Sequence, residues 1–207
     1  MRTPLSNLMG HAQQTLARSR PLDEYQNLLV SNLEEYERLA RMIDSMLFLA
    51  RTEQPKAAIR RETVDLQALG EQLCDYFEGM AQERDITLLN QAGGQLAAEP
   101  QLLRRALANL LANALRHATP QSRVTLGSTS TTTGVTLSVH NLGEPIPAQH
   151  LPHLFERFYR CDPSRHEPGD SGGLGLAIVR SIMQAHGGQV SVSSDIDGTT
   201  FRLHFPS

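Results

Sequence analysis

The sequence has little cysteine, no large excess of either charge and no long apolar run, and each shortage closes off a class of protein. Among 207 residues the two cysteines, Cys74 and Cys161, stand far apart and outside any C-x-x-C, which excludes a disulfide scaffold and a cysteine-based zinc site and fits a reducing compartment. Nineteen basic against 22 acidic side chains leave a net charge of −3, too little positive charge to hold nucleic acid by bulk electrostatics. No apolar run approaches the roughly 18 to 20 residues of a membrane span, and the opening MRTPLSNLMG lacks the apolar centre of a signal peptide, so the chain as given reads as soluble. The P-loop pattern G-x-x-x-x-G-K-[ST] is missing, as is a strand followed by G-x-G-x-x-G in a βαβ unit, which sets aside the two commonest nucleotide folds. His140, His150, His153, His166, His186 and His204 show no chelating spacing, and the close pair His150 and His153 reads as surface residues of a short helix. What is present is 40 % hydrophobic residues and 20 % charged, enough for a real core in one large or two small domains.

Residues 1–53 contain no glycine except Gly10 and no proline except Pro4 and Pro21, a helical composition. Tyr25, Leu29, Asn32, Tyr36, Leu39, Ile43, Met46 and Ala50 recur at alternating steps of four and three, a heptad seam with one polar member. A shorter seam, Leu5, Leu8, Ala12 and Thr15, precedes it, and Pro21 breaks the two apart. The reading is an antiparallel hairpin. Two helices leave their seams half covered, so a homodimeric four-helix bundle is expected.

Residues 54–62 read as a linker, and residues 63–207 as a second module of mixed pattern. In it the spacing predicts helices over 64–82, 101–117 and 175–186. Strands are predicted over 86–90, 123–130, 134–141, 188–194 and 200–205. Strands and helices alternate without βαβ regularity, which suggests a two-layer α/β sandwich. Its mixed sheet would carry helices on one face and an irregular loop, 160–173, on the other side.

Four clusters in this module carry chemistry. Asn109, Asn113 and Arg116 share one helix face, with His117 beside them; two amides and a guanidinium suit hydrated Mg²⁺ and phosphates, although solvent-facing helix residues would look the same. Asn141, at a strand end before Gly143 and Ile146, offers an amide oxygen to the exocyclic amine of adenine, or simply forms a turn. Gly172, Gly173, Leu174, Gly175 and Leu176 open an apolar helix whose first N–H groups suit a phosphate. Gly198, Thr199 and Thr200 turn into the last strand, with a hydroxyl near the base or only a hairpin.

Together, and in this order, the clusters resemble the ATP-binding domain of sensor histidine kinases, the Bergerat-type (GHKL) fold shared with gyrase and MutL. Asn109 to His117 resembles the N-box, Asn141 to Pro147 the G1 box, Phe155 to Arg160 the F-box, Ser171 to Leu176 the G2 box, and Gly198 to Thr200 the G3 turn. Arg2 to Leu8 resembles the end of the H-box, H-E-L-R-T-P-L. Details such as LPHLFERFYRCDPSR look most like the heavy-metal (copper/silver) sensor kinases of Gram-negative bacteria. The resemblance implies an α+β chain in which a dimeric hairpin bundle precedes the GHKL sandwich. Its cofactors would be ATP and Mg²⁺, with Asn113 on the metal and Asn109 and Arg116 on phosphates. His117, Asn141, Gly143, Ile146, Phe155, Tyr159, Arg160, Gly173, Leu174, Gly175, Leu176, Thr199 and Thr200 would complete the nucleotide site. Thr3 would position water for dephosphorylating the partner, a response-regulator receiver domain. The membrane would enter only through segments ahead of Met1, placing these residues in the cytoplasm and the full protein in the inner membrane.

Departures from the family pattern matter. The phospho-accepting histidine would fall two positions before Met1, so these residues are not expected to label themselves, and His11 stands outside the motif. The usual G1 aspartate is Asn141, which keeps an acceptor but loses charge assistance, a cost of about 1 kcal/mol in nucleotide binding. Pro145 and Ser171 replace glycines. An ATPase of the same fold and a helical dimerisation module with a decayed nucleotide site are the competing readings.

Overall fold

The computed structural model describes residues 9, 10, 13, 15, 17, 18, 21–52, 59–161 and 172–207. Thr3, most of the first seam, residues 53–58 of the linker and residues 162–171 of the long loop lie outside them. A 31-residue helix, α1 (Leu22–Thr52), leads into β1 (Glu62–Asp65), α2 (Leu66–Glu83), β2 (Thr87–Gln91), β3 (Gln95–Ala98) and α3 (Pro100–His117). The hairpin β4 (Arg123–Thr131) and β5 (Gly134–Asn141) follows. A 3₁₀ turn (Leu151–His153), α4 (Gly175–Ala185), β6 (Gln189–Asp195) and β7 (Gly198–Pro206) close the chain. The five-stranded sheet runs β2-β4-β5-β7-β6, with β2 parallel to β4 and the other neighbours antiparallel. β1 and β3 form a separate antiparallel pair.

One face of the sheet is dry and the other wet, as period-2 alternation requires. Leu137, Val139, Phe201, Leu203 and Phe205 pack under α3 and α4. On the other face Thr136 meets His204 at 3.1 Å, and Arg202 donates to Ser193 at 2.8 Å. Helix starts follow from local chemistry. Asp65 accepts the Ala68 N–H at 3.0 Å to open α2, and Glu99 caps α3 through the Leu102 N–H at 2.6 Å, with Pro100 in the first turn.

The predicted helix over 64–82 is therefore shorter at its start, because Val64 pairs with Leu96 and Asp65 is its cap. The β1–β3 pair was not foreseen: four-residue strands give too little alternation to read. The ends of the long loop also differ from expectation. Gly172 lies against Met42 of α1 and Gly173 against Phe158, so both sit on the helix side beside the start of α4 rather than across the sheet.

Helix α1 carries two stripes. Met42, Ser45 and Leu49 are buried, the two apolar ones within the same core cluster as α4. Leu22, Leu29, Leu33, Tyr36, Ile43 and Leu47, again at heptad steps, face outward with relative exposures of 48–73 %. The single seam expected from Tyr25 to Ala50 lies mostly on the open side: Leu29, Tyr36 and Ile43 are exposed, Met46 alone of its members packs against the core, and the buried stripe is a second one that the seam does not include.

Candidate functional site

Helix α3 is the spine of the site. Leu103, Leu107, Leu110, Leu111 and Leu115 bury one side of it, which turns Arg105, Asn109, Asn113 and Arg116 to the opposite side at helical spacing. These four line an outer cavity of about 760 Å³. Gly175 and Leu176 of α4 and Arg41, Asp44, Ser45 and Phe48 of α1 complete it. An inner cavity of about 580 Å³ lies towards the sheet, between the end of α3, Asn141 of β5, the turn around Ile146 and Thr199 and Phe201 of β7. Asn113, Arg116 and Leu176 line both, so the two are halves of one cleft.

Three arginines, Arg41, Arg105 and Arg116, face one carboxylate, Asp44, in the outer half, which makes it a site for an anion. The Arg105 guanidinium lies 4.0 Å over the Phe48 ring; burial lowers its pKa and nearby Asp44 raises it in part. Asn109 donates from Nδ2 to the Arg105 carbonyl at 3.0 Å, a bond to its own helix that fixes its amide. No side chain caps α4, which begins just after Gly172 and Gly173, both at positive φ.

The inner half mixes apolar walls (Ile146, Leu154, Leu176 and Phe201) with Arg84, Arg116, Arg160 and Glu144. Asn141 is 2 % exposed, its Nδ2 donating to Leu142 O at 3.3 Å. Ser194 accepts the Ile146 N–H at 2.9 Å and meets the Thr199 hydroxyl at 2.7 Å, tying the turn to β7. The Tyr159 hydroxyl lies 2.6 Å from Nδ1 of His150. At the end of α3, Arg84 donates to the Arg116 carbonyl at 2.8 Å.

The cleft brings together most of the residues singled out from sequence: Asn109, Asn113, Arg116, Gly175 and Leu176 in the outer half, and His117, Asn141, Ile146, Tyr159, Arg160 and Thr199 in the inner. Thr200 is not among them, because its neighbour Thr199 takes the cleft face and the strand alternates. Its hydroxyl meets His140 Nδ1 at 3.0 Å on the wet face. Leu174 is fully buried in the core, and Phe155 packs edge-on against Phe201 at 6.1 Å, a support rather than a wall. Gly143 and Gly173 act through backbone fit. A Cβ at Gly143 would stand 2.3 Å from the His117 carbonyl, and one at Gly173 2.8 Å from the Phe158 backbone. Thr3 lies outside the described residues. Arg105 was missed although it precedes Asn109 by one turn, a signal that periodicity carries; Phe48, Asp44 and Arg41 had no such signal. Among the described residues no cluster of histidine, cysteine and carboxylate suits a metal ion.

The cleft thus lies between the amide-bearing helix α3 and the glycine-opened helix α4, over a mixed sheet. The chain belongs to the histidine kinase-, DNA gyrase B- and HSP90-like ATPases, whose family profile matches residues 98–207. Ahead of that region, residues 1–55 match the His Kinase A (phospho-acceptor) domain profile. The chain is 44 % identical over 207 residues to the sensor protein CzcS of Cupriavidus metallidurans and 40 % identical over 208 residues to the sensor histidine kinase CusS of Escherichia coli. Each match covers all of this chain and 44 % and 43 % of those proteins, so the chain spans a little under half their length. The fold matches that of the Acinetobacter baumannii histidine kinase AdeS with a TM-score of 0.83 at 22 % identity, over 99 % of this chain and 95 % of that one.

Proposed function

We propose that the cleft binds Mg-ATP and that the chain is the kinase core of a two-component sensor. The supporting observation is that the outer and inner cavities share Asn113, Arg116 and Leu176, so that one extended ligand reaches from one into the other. In this reading Asn109 and Arg116 meet phosphates, and Asn113 supplies an oxygen to a magnesium ion carried on them. A neutral amide suits a cation already paired with phosphate. Asn141 accepts from the exocyclic amine of adenine, with His117, Ile146, Tyr159, Arg160 and Thr199 around the base and sugar. Gly143, Gly173, Gly175 and Leu176 shape the backbone. Magnesium supplies charge neutralisation along the phosphates; the chain's own part is to hold the nucleotide in line with an acceptor.

The acceptor is a histidine on a hairpin helix, and the phosphoryl group then passes to a response-regulator aspartate, with Thr3 positioning water for the reverse loss. Residues 1–53 serve as hairpin, 54–62 as linker and 63–207 as ATP-binding domain. The outward heptad stripe of α1 is the surface on which a second copy docks. The likeness to CzcS and CusS supports heavy-metal-responsive signalling from the bacterial inner membrane. For the described residues themselves, no helix is long and apolar enough to cross a membrane. Hydrolysis as the main activity is disfavoured by the α3 face in the cleft, which offers Arg105, Asn109, Ala112, Asn113 and Arg116 and no carboxylate to activate water.

Calorimetry with ADP tests this reading. The 207-residue chain is expected to bind ADP in Mg²⁺ without labelling itself from γ-labelled ATP. Asn113→Ala is expected to weaken Mg-dependent binding by about 100-fold, as loss of a metal-site group does, and to leave the weak Mg-free binding in place. Unchanged affinity in Mg²⁺ removes Asn113 from the site.

A further inference from the structure

Asn141 closes the inner end of the cleft, and its side chain has one hydrogen bond. The backbone around it is fixed, since residue 141 pairs with Val124 on one side and Thr199 on the other. Nδ2 donates to Leu142 O at 3.3 Å, a long bond to a carbonyl that already accepts the Thr119 N–H at 2.9 Å. Oδ1 makes no hydrogen bond among the described residues and is not one of the side-chain atoms sealed away without a partner, so it is open to the cavity. In this orientation the group is an acceptor, the complement of a 6-amino purine. An amide differs from a carboxylate in that a half-turn about its last bond exchanges acceptor for donor. That half-turn gives up the 3.3 Å bond and sets Oδ1 towards Leu142 O, a cost that the new bond from Nδ2 to the base must offset; Leu142 O keeps Thr119.

We propose that Asn141 is a permissive specificity-determining residue, which lets the cleft take 6-oxopurine nucleotides as well as adenine nucleotides. The inference rests on the nucleotide reading of the cleft. A 6-amino base meets Oδ1. A 6-oxo base meets Nδ2 after the amide turns, and a carboxylate at the same place offers that oxygen only repulsion. Hypoxanthine is the clean probe, because it differs from adenine at the 6-position and N1 without adding the 2-amino group of guanine.

The test is calorimetry of the 207-residue chain in Mg²⁺ with ADP and IDP, on the wild type and on Asn141→Asp. Since a fully satisfied polar site rejects a mismatched analogue by 10⁴-fold or more, the expected wild-type gap of less than about 30-fold in Kd is diagnostic. Asn141→Asp is expected to widen the gap at least about 10-fold, by loss of IDP binding. A wild-type gap above about 30-fold overturns the proposal, and so does an equal gap in a folded Asn141→Asp chain. If the aspartate variant does not fold, the wild-type ratio decides alone, with Asn141→Ala expected to weaken both ligands and bring them within about threefold. Absence of ADP binding in the wild type brings down the nucleotide reading and this proposal with it, whereas ADP binding with no IDP binding brings down this proposal only.

Discussion

The two halves of the cleft are made differently. The inner half takes its walls from residues 84–201, all within the unit that shares the sheet. The outer half borrows a wall from α1, residues that precede that unit and reach it across a linker. In the inner half the covalent fold sets the geometry. In the outer half it depends on how a long helix docks, through the buried Met42–Leu49 stripe and the Phe48–Arg105 contact. On the proposed nucleotide reading, a half of fixed shape beside a half of adjustable shape lets binding and delivery be separated.

The harshest way to break the contrast is to collapse the inner half alone. Phe201 is 1 % exposed and braced by Phe155, so Phe201→Ala is expected to cost about 3–5 kcal/mol of stability, read from denaturant unfolding. Nucleotide binding is expected to fall with it while the helicity of α1 persists in circular dichroism.

A milder probe is pH. His186 is buried, accepts the Glu99 N–H on Nε2 at 3.0 Å, and places Nδ1 2.8 Å from Ile182 O, bonds that require the neutral ring. Burial lowers its pKa below the usual 6.5. Ile182 O and Glu99 partly offset this, and Arg61 adds to the lowering. The unfolded chain therefore binds this proton first as pH falls. The stabilisation is complete above 6.5 and declines as pH drops from there towards the lower folded value. The Tm is expected to fall between pH 7.5 and 5.5, with a flatter slope in His186→Gln; an equal slope in the variant removes His186 as the cause.

The smallest expected effect falls on the outer half. Phe48→Ala frees Arg105 from a cation–π contact worth about 0.5–1 kcal/mol, so Mg-ATP binding is expected to tighten about two- to fivefold. The gain should vanish in an Arg105→Ala background. A gain that survives there assigns the effect to α1 as a whole rather than to this pair.

The contrast also explains what the sequence could disclose. Asn113 and Arg116 could be placed on one face by helical spacing, Asn141 and Thr199 by a strand end and a glycine turn, and the order of these marks along the chain is itself informative. Thr200 lies one step of a two-residue period from Thr199, which is enough to put it on the opposite face from the cleft. Phe48 and Arg41 were unreadable for a different reason. Their heptad pattern is satisfied equally by a second helix or by α4, and only packing chooses. The buried stripe Met42, Ser45 and Leu49 runs one residue before the seam positions Ile43, Met46 and Ala50, and periodicity disclosed only the seam.

The bond from Arg61 to the His186 carbonyl at 2.7 Å, together with the pairing of Glu62 with Ala98, anchors the chain to the sheet unit from residue 61 onward. Whatever relative travel the kinase reading requires must therefore be accommodated by residues 53–60, a leash whose covalent limit is roughly 30 Å. On that reading residue 61 stays inside that radius of the end of α1, which bounds how far the cleft travels. Spacer residues added between 53 and 60 would dilute the encounter, by about the −3/2 power of leash length, without altering a single wall of the cleft.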